Sequence, residues 1–96
     1  MRPSEAIAGR LDEVRAVIAR YPVGNPRVFG SVARGEDDET SDLDLLVEPT
    51  ERTTYFDLFA LEDELATLLG FPVDIFTPGA VGADIADSVR RDLRPL

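Results

Sequence analysis

Apolar side chains at Ile7, Leu11, Val14, Ile18 and Tyr21 recur at steps of four and three, which is one stripe along a helix. Ser4 stands ahead of them as a hydroxyl cap and Pro22 stops them. A Gly24-Asn25-Pro26 turn leads into a short apolar run, Arg27-Val28-Phe29, that reads as a buried strand ending at Gly30. Ser31-Val32-Ala33-Arg34 then makes a single helical turn, with a hydroxyl in front and Gly35 behind. After a polar connection, Leu43, Leu45 and Val47 alternate with Asp42, Asp44 and Leu46, the period of a strand, which Pro49 ends. Tyr55, Leu58, Phe59, Leu65, Ala66 and Leu69 mark a second amphipathic helix, capped at Thr53 or Thr54 and closed by Gly70. Phe71 to Phe76 reads as a third strand. Pro78-Gly79 opens a last helix carrying Val81, Ile85 and Val89 that frays into Arg90, Arg91 and Arg94. This order predicts an α/β (α+β) fold, a small mixed sheet with flanking helices, as a single domain over residues 1–96 without repeats or linkers.

Composition narrows the chemistry. The chain has no Cys and no His, and all ten positive side chains are Arg. Thiolate and imidazole catalysis, thiolate metal sites and lysine-based phosphate loops are thereby excluded. Carboxylates, hydroxyls, backbone amides and Arg remain, and the metals such oxygen ligands select are Mg²⁺, Mn²⁺ or Ca²⁺. Nineteen acidic residues against ten basic give a formal charge of −9, which opposes long nucleic acid and anionic membrane surfaces and suits a basic protein partner. No apolar run approaches a membrane span of about 20 residues and no secretory h-region is present, so a cytoplasmic location is expected.

Three places carry candidate chemistry. Asp42 and Asp44, two apart on a strand, present carboxylates side by side with Cα atoms about 6.5 Å apart. Either a divalent cation cancels their repulsion or they lie on a solvated strand face. Asp74 interrupts the apolar strand Val73-Ile75-Phe76, so it needs a shared metal, an Arg, or an edge position open to water. Gly30-Ser31, between a strand and a helical turn, is either an anion-binding corner of backbone amides or an ordinary turn. The run Glu36 to Glu39 reads as a solvated surface loop; Leu43 and Val47 fall where a calcium loop needs a turn or a ligand, so an EF-hand is excluded. Phe56 lies off the apolar stripe of its helix, at the core edge or in a partner contact.

Taken together, Gly30-Ser31, ten intervening residues, Asp42-Leu43-Asp44 and a later strand Asp74 resemble the signature of the DNA polymerase β-like nucleotidyltransferase superfamily. More closely, Phe29-Gly-Ser-Val-Ala-Arg-Gly35 followed by Ser41-Asp-Leu-Asp-Leu45 is similar to the minimal nucleotidyltransferase (MNT) proteins. The resemblance implies a polymerase β-like fold, with Asp42 and Asp44 holding two Mg²⁺ ions (Mn²⁺ as a substitute) and Asp74 holding one while helping to remove the acceptor proton. It also implies ATP as substrate, with Gly30, Ser31 and Arg34 on its phosphates; Arg34 has the alternative of pairing with the acidic loop. The partner implied is a HEPN-domain toxin that receives AMP, on a tyrosine, from its antitoxin. Two further readings stay open: an antitoxin that neutralises by binding alone, and nucleotidyl transfer to a small hydroxylated molecule.

Overall fold

The computed structural model describes residues 1–96, apart from the side chains at 83–85 and 88; the expected apolar position Ile85 therefore lies outside the described residues. The chain runs α1 (Pro3–Gly9), α2 (Leu11–Ala19), β1 (Val23–Phe29), α3 (Ser31–Arg34), β2 (Leu43–Pro49), α4 (Tyr55–Leu69), β3 (Val73–Phe76), a 3₁₀ turn (Pro78–Ala80), α5 (Ala83–Asp92) and β4 (Arg94–Pro95).

The first helical stripe is real, but its helix is broken. Arg10 leaves helical geometry at φ −134°, ψ 26°, directly after Gly9, the weakest helix former in the run. The break lets α1 bury Ala6 and Ile7 and α2 bury Val14, Val17 and Ile18. Ser4 is not the cap; it lies within the first turn of α1, and its amide donates to Asp37 Oδ2 at 2.8 Å.

The sheet has the order β3-β2-β1-β4, with β1 antiparallel to both β2 and β4 and β2 parallel to β3. Strand β1 is longer than its apolar run suggests. The expected Gly24-Asn25-Pro26 turn is an irregularity inside the strand, where the register slips between Gly24 and Arg27 and Asn25 takes φ 47°. Arg94 belongs to no frayed helix, because Arg94 and Pro95 pair with Val28 and Arg27 as the edge strand β4.

Alternation sorts the two faces of the sheet. Val28, Leu43, Leu45 and Val73 pack with Ile7, Val14, Ile18, Leu61 and Leu65 in the main core. Full burial of a Leu stabilises by about 1.5–3 kcal/mol, so Leu61 and Leu65 suffice to hold α4 on this face. On the opposite face Phe29 and Leu46 meet Val89 of α5, and Phe76 packs edge-on to Phe29 at 5.4 Å. Helix α4 starts as expected on Thr54, whose side chain accepts from the Asp57 amide, and ends on Gly70 at φ 87°. Two of its aromatic residues depart from expectation, Tyr55 and Phe59 being exposed rather than in the core; Phe56, expected at the core edge or in a partner contact, is exposed and so does not lie at the core edge.

Candidate active site

Burial of Leu43, Leu45 and Val47 leaves Asp44 no choice of face. Across the antiparallel ladder Asp44 stands opposite Phe29, and across the parallel ladder opposite Asp74. Strand neighbours lie about 4.8 Å apart, so Asp44 and Asp74 share one face of the sheet side by side. Asp42 sits one residue ahead of β2 and is exposed. Asp74 is also exposed: β3 is an edge strand, so the carboxylate that interrupts an apolar run is open to water and bears no burial cost there.

The electrostatics single out Asp44. Burial, then the charge of Asp74, then that of Asp42 push its carboxyl up to about 6. Among the described residues none of the three aspartates makes a hydrogen bond or an ion pair. Asp42 and Asp74 thus both lie within electrostatic reach of Asp44, and among the described residues no ion pair offsets their charge.

Gly30 closes the site on the β1 side. Its φ of +78° is unfavourable for any residue with a Cβ, and a Cβ there would lie 2.7 Å from Asp44 Oδ2. The missing side chain therefore admits the carboxylate against the backbone corner. Gly30 caps the single turn α3, Ser31 is its first residue, and Gly35 ends it at φ 71°. The amides that open this turn have no partner within it. Arg34, at the far end of the turn, contacts Glu36 Oε2 through Nε at 3.1 Å and Asp92 Oδ2 through Nη1 at 2.6 Å. Hydrogen bonds to Asp92 first and Glu36 second raise the guanidinium above its ordinary value.

Two buried acids outside this cluster carry no signal in the sequence. Asp92, on α5, is 7% exposed and ties that helix to α3 through Arg34. Asp37 was expected in a solvated loop but is 4% exposed, with Oδ2 on the Ser4 amide and Oδ1 buried without a partner among the described residues. Burial pushes this carboxyl up, yet hydrogen bonding from Ser4 outweighs it and holds Asp37 below the usual carboxylate range. An acid at this count from both Ser4 and the strand carries no signal of its own in the sequence.

Hard divalent ions fit the donor set of Asp42, Asp44 and Asp74, which offers carboxylate oxygens alone, no competing cation and a charge excess felt at Asp44. Among the described residues, no group of three acids is already drawn together as a finished metal cage. Like charges without a counter-ion separate, so a spread arrangement is what electrostatics dictates for these carboxylates alone.

Residues 11–94 match the family model described as Nucleotidyltransferase domain. The chain belongs to that family. The expected resemblance and the expected enzyme class, nucleotidyl transfer, both stand. This nucleotidyltransferase chain is 33% identical over 91 residues to the Protein adenylyltransferase MntA of Thermococcus cleftensis, covering 86% of the chain and 92% of that relative. It superimposes with a TM-score of 0.83 and 41% identity on a solved "putative minimal nucleotidyltransferase", covering 97% of this chain and 95% of that one. The small mixed sheet with flanking helices is therefore the minimal nucleotidyltransferase fold. At 16% identity and a TM-score of 0.64 it also shares a fold with a chain of the complex between the tri-AMPylated Shewanella oneidensis HEPN toxin and its MNT antitoxin, covering 96% of this chain and 70% of that one. Among the described residues, no helix is long and apolar enough to cross a membrane.

Proposed function

We propose that this chain is an antitoxin that transfers AMP from ATP to a hydroxyl, a tyrosine hydroxyl, of a HEPN-domain partner. The observation that carries the reading is the Asp44–Asp74 pairing beside Gly30, which brings two unpartnered carboxylates and a backbone corner to one end of the sheet. The family match and the adenylyltransferase relative support the reaction class, and the HEPN–MNT complex supports the partner.

Asp42 and Asp44 would hold two Mg²⁺ ions, or Mn²⁺, and Asp74 one of them. When bound, the ions lower the pKa of the attacking hydroxyl and neutralise charge on the α-phosphate and the departing pyrophosphate. Gly30 and Ser31 hold the outer phosphates through backbone amides and the Ser31 hydroxyl. Arg34, its Nε and Nη1 held by Glu36 and Asp92, offers the remaining N–H groups of its guanidinium to the phosphates at the far end of that turn. Asp74, exposed at the sheet edge, is accessible to a hydroxyl arriving on another molecule and takes up its proton. The acceptor oxygen bonds to the α-phosphorus, the bond to the β-phosphate bridge breaks, and pyrophosphate leaves.

Incubation with Mg²⁺ and α-labelled ATP is expected to label the HEPN-domain protein, whereas γ-labelled ATP leaves it unlabelled. Asp42→Asn and Asp44→Asn are expected to abolish the label. Neutralisation that persists in both variants without label would instead establish an antitoxin acting by binding alone. A mass gain of one nucleotide on a small molecule would relocate the acceptor.

A further inference from the structure

The first two turns of α4 take no part in the site above. Tyr55, Phe56 and Phe59 are 79%, 85% and 60% exposed, while the same helix buries Leu61 and Leu65 inward. Single exposed apolar side chains are ordinary; three rings within little more than one helical turn form a patch that water solvates poorly. A hollow of about 510 Å³ flanks the patch toward Pro49 and Thr53. Another of about 470 Å³ flanks it toward Ile75 and Ala80. Tyr55, Leu58 and Thr77 line both, so the two are one groove along α4 and past the end of β3.

We propose that this groove is the docking surface for the acceptor-bearing protein, taking an apolar anchor between the rings while Lys or Arg side chains around that anchor meet the acidic rim. The proposal rests on the adenylyl-transfer reading and adds to it the surface that presents the acceptor. Charge selects the occupant. Residues 51–63, the segment that carries the rings, hold Glu51, Asp57, Glu62 and Asp63 against Arg52 alone, with Glu62 lining the groove itself, so a second copy would bring acids against acids, whereas a basic surface is complementary.

Position supports the same choice. Ile75 lines the groove, and its chain neighbour Asp74 is exposed on the other face of the same edge strand. A protein seated along α4 and leaning over β3 passes a hydroxyl by Asp74. Glu62 also refines the mode of binding, because its Oε2 accepts from the Ile75 amide at 2.7 Å. That amide is closed to an added β-strand, so the partner is gripped by side chains rather than by extension of the sheet.

The test uses the full chain and the HEPN-domain protein of the same genome. Phe56→Ser/Phe59→Ser is expected to weaken the complex by about tenfold or more, in the range of lost aromatic anchors, while magnesium-supported ATP binding measured by calorimetry stays within about twofold of wild type. Glu51→Arg/Asp63→Arg is expected to weaken the complex at low salt and to lose that effect at high salt. Both variants alter exposed side chains, and unchanged thermal midpoints check that they fold. A double Phe variant that binds and labels the partner within about twofold of wild type overturns the groove. So does sedimentation showing a wild-type dimer that the same variant dissolves, since the occupant is then a second copy. A wild-type complex that forms but passes no label sinks the catalytic reading and leaves the groove to be judged by binding. Absence of any wild-type complex sinks both.

Discussion

Asp37 and Asp44 lie seven positions apart, the first buried and the second half-buried, and their environments move them in opposite directions. Asp37 is nearly buried, yet the Ser4 amide at the start of α1 holds its carboxylate charged. Its charge stabilises the fold by closing a helix end from a distant loop. Asp44 is half-buried with Asp74 beside it and Asp42 near it, and its carboxyl rises to about 6. Its charge costs the fold stability. An acid that the fold satisfies serves structure; an acid that the fold leaves repelled by its neighbours is what the proposed Mg²⁺ role of Asp44 requires.

The largest effect that sharpens this contrast is on catalysis. Asp44→Asn is expected to lower AMP transfer by about 10²–10³-fold or more, read from initial rates with α-labelled ATP. The same change should raise metal-free stability at pH 7 by about 1 kcal/mol, a figure discounted for solvent at a half-exposed site, measured by denaturant midpoint. A variant that is both inactive and destabilised would break the comparison.

Gly30→Ala comes next, with an expected loss of about 1–3 kcal/mol from its positive φ, and a fall in transfer because the new methyl displaces Asp44. Thermal denaturation and the labelling rate check the two parts separately. Asp37→Ala should cost about 1–2 kcal/mol by removing the tertiary cap on α1, with transfer per folded molecule unchanged within about twofold.

The smallest effect is on pH dependence, where the two acids separate cleanly. Asp44 is raised in the fold, so between its ordinary value of 3.8 and about 6 the native state keeps a proton that the unfolded chain has lost. Its contribution is present at the acid end of that window and is lost as pH rises through about 6. Metal-free stability should therefore fall by about 1 kcal/mol between pH 5 and pH 7, and Asp44→Asn should flatten that slope. Saturating Mg²⁺ is expected to reverse it, since a bound cation favours the ionised form. Asp37 is lowered, so its contribution is lost only as pH drops through its native value below the usual carboxylate range. Chemical denaturation of wild type, Asp37→Ala and Asp44→Asn across pH 3–8 would read both limbs.

Much of the site was legible because it depends on local rules. A period of two fixes Asp44 opposite the core, Gly30 ends a strand, and Gly35 and Gly70 end helices. What stayed hidden depends on contacts distant in the chain. Asp37 reads as one of four acids in a polar run, and only the packing of α1 buries it. Arg34 looked open to the acidic loop, and Glu36 does meet it, but Asp92 is 58 positions away. Tyr55 and Phe59 fit an apolar stripe by spacing, yet both are exposed while Leu61 and Leu65 of the same helix fill the core, and spacing alone does not say where along a helix the burial begins.

The order of residues alone settled the reactive repertoire, oxygen ligands and Arg, and the strand alternation that turns Asp44 away from the core; both follow from composition and backbone period. Only the tertiary structure decided which acids are neighbours. Parallel pairing of β2 with β3 sets Asp44 beside Asp74, and the fold of α1 over the loop withdraws Asp37 from water. Strand register and helix packing are properties of elements meeting in space, and the repulsion at Asp44 exists only once they have met.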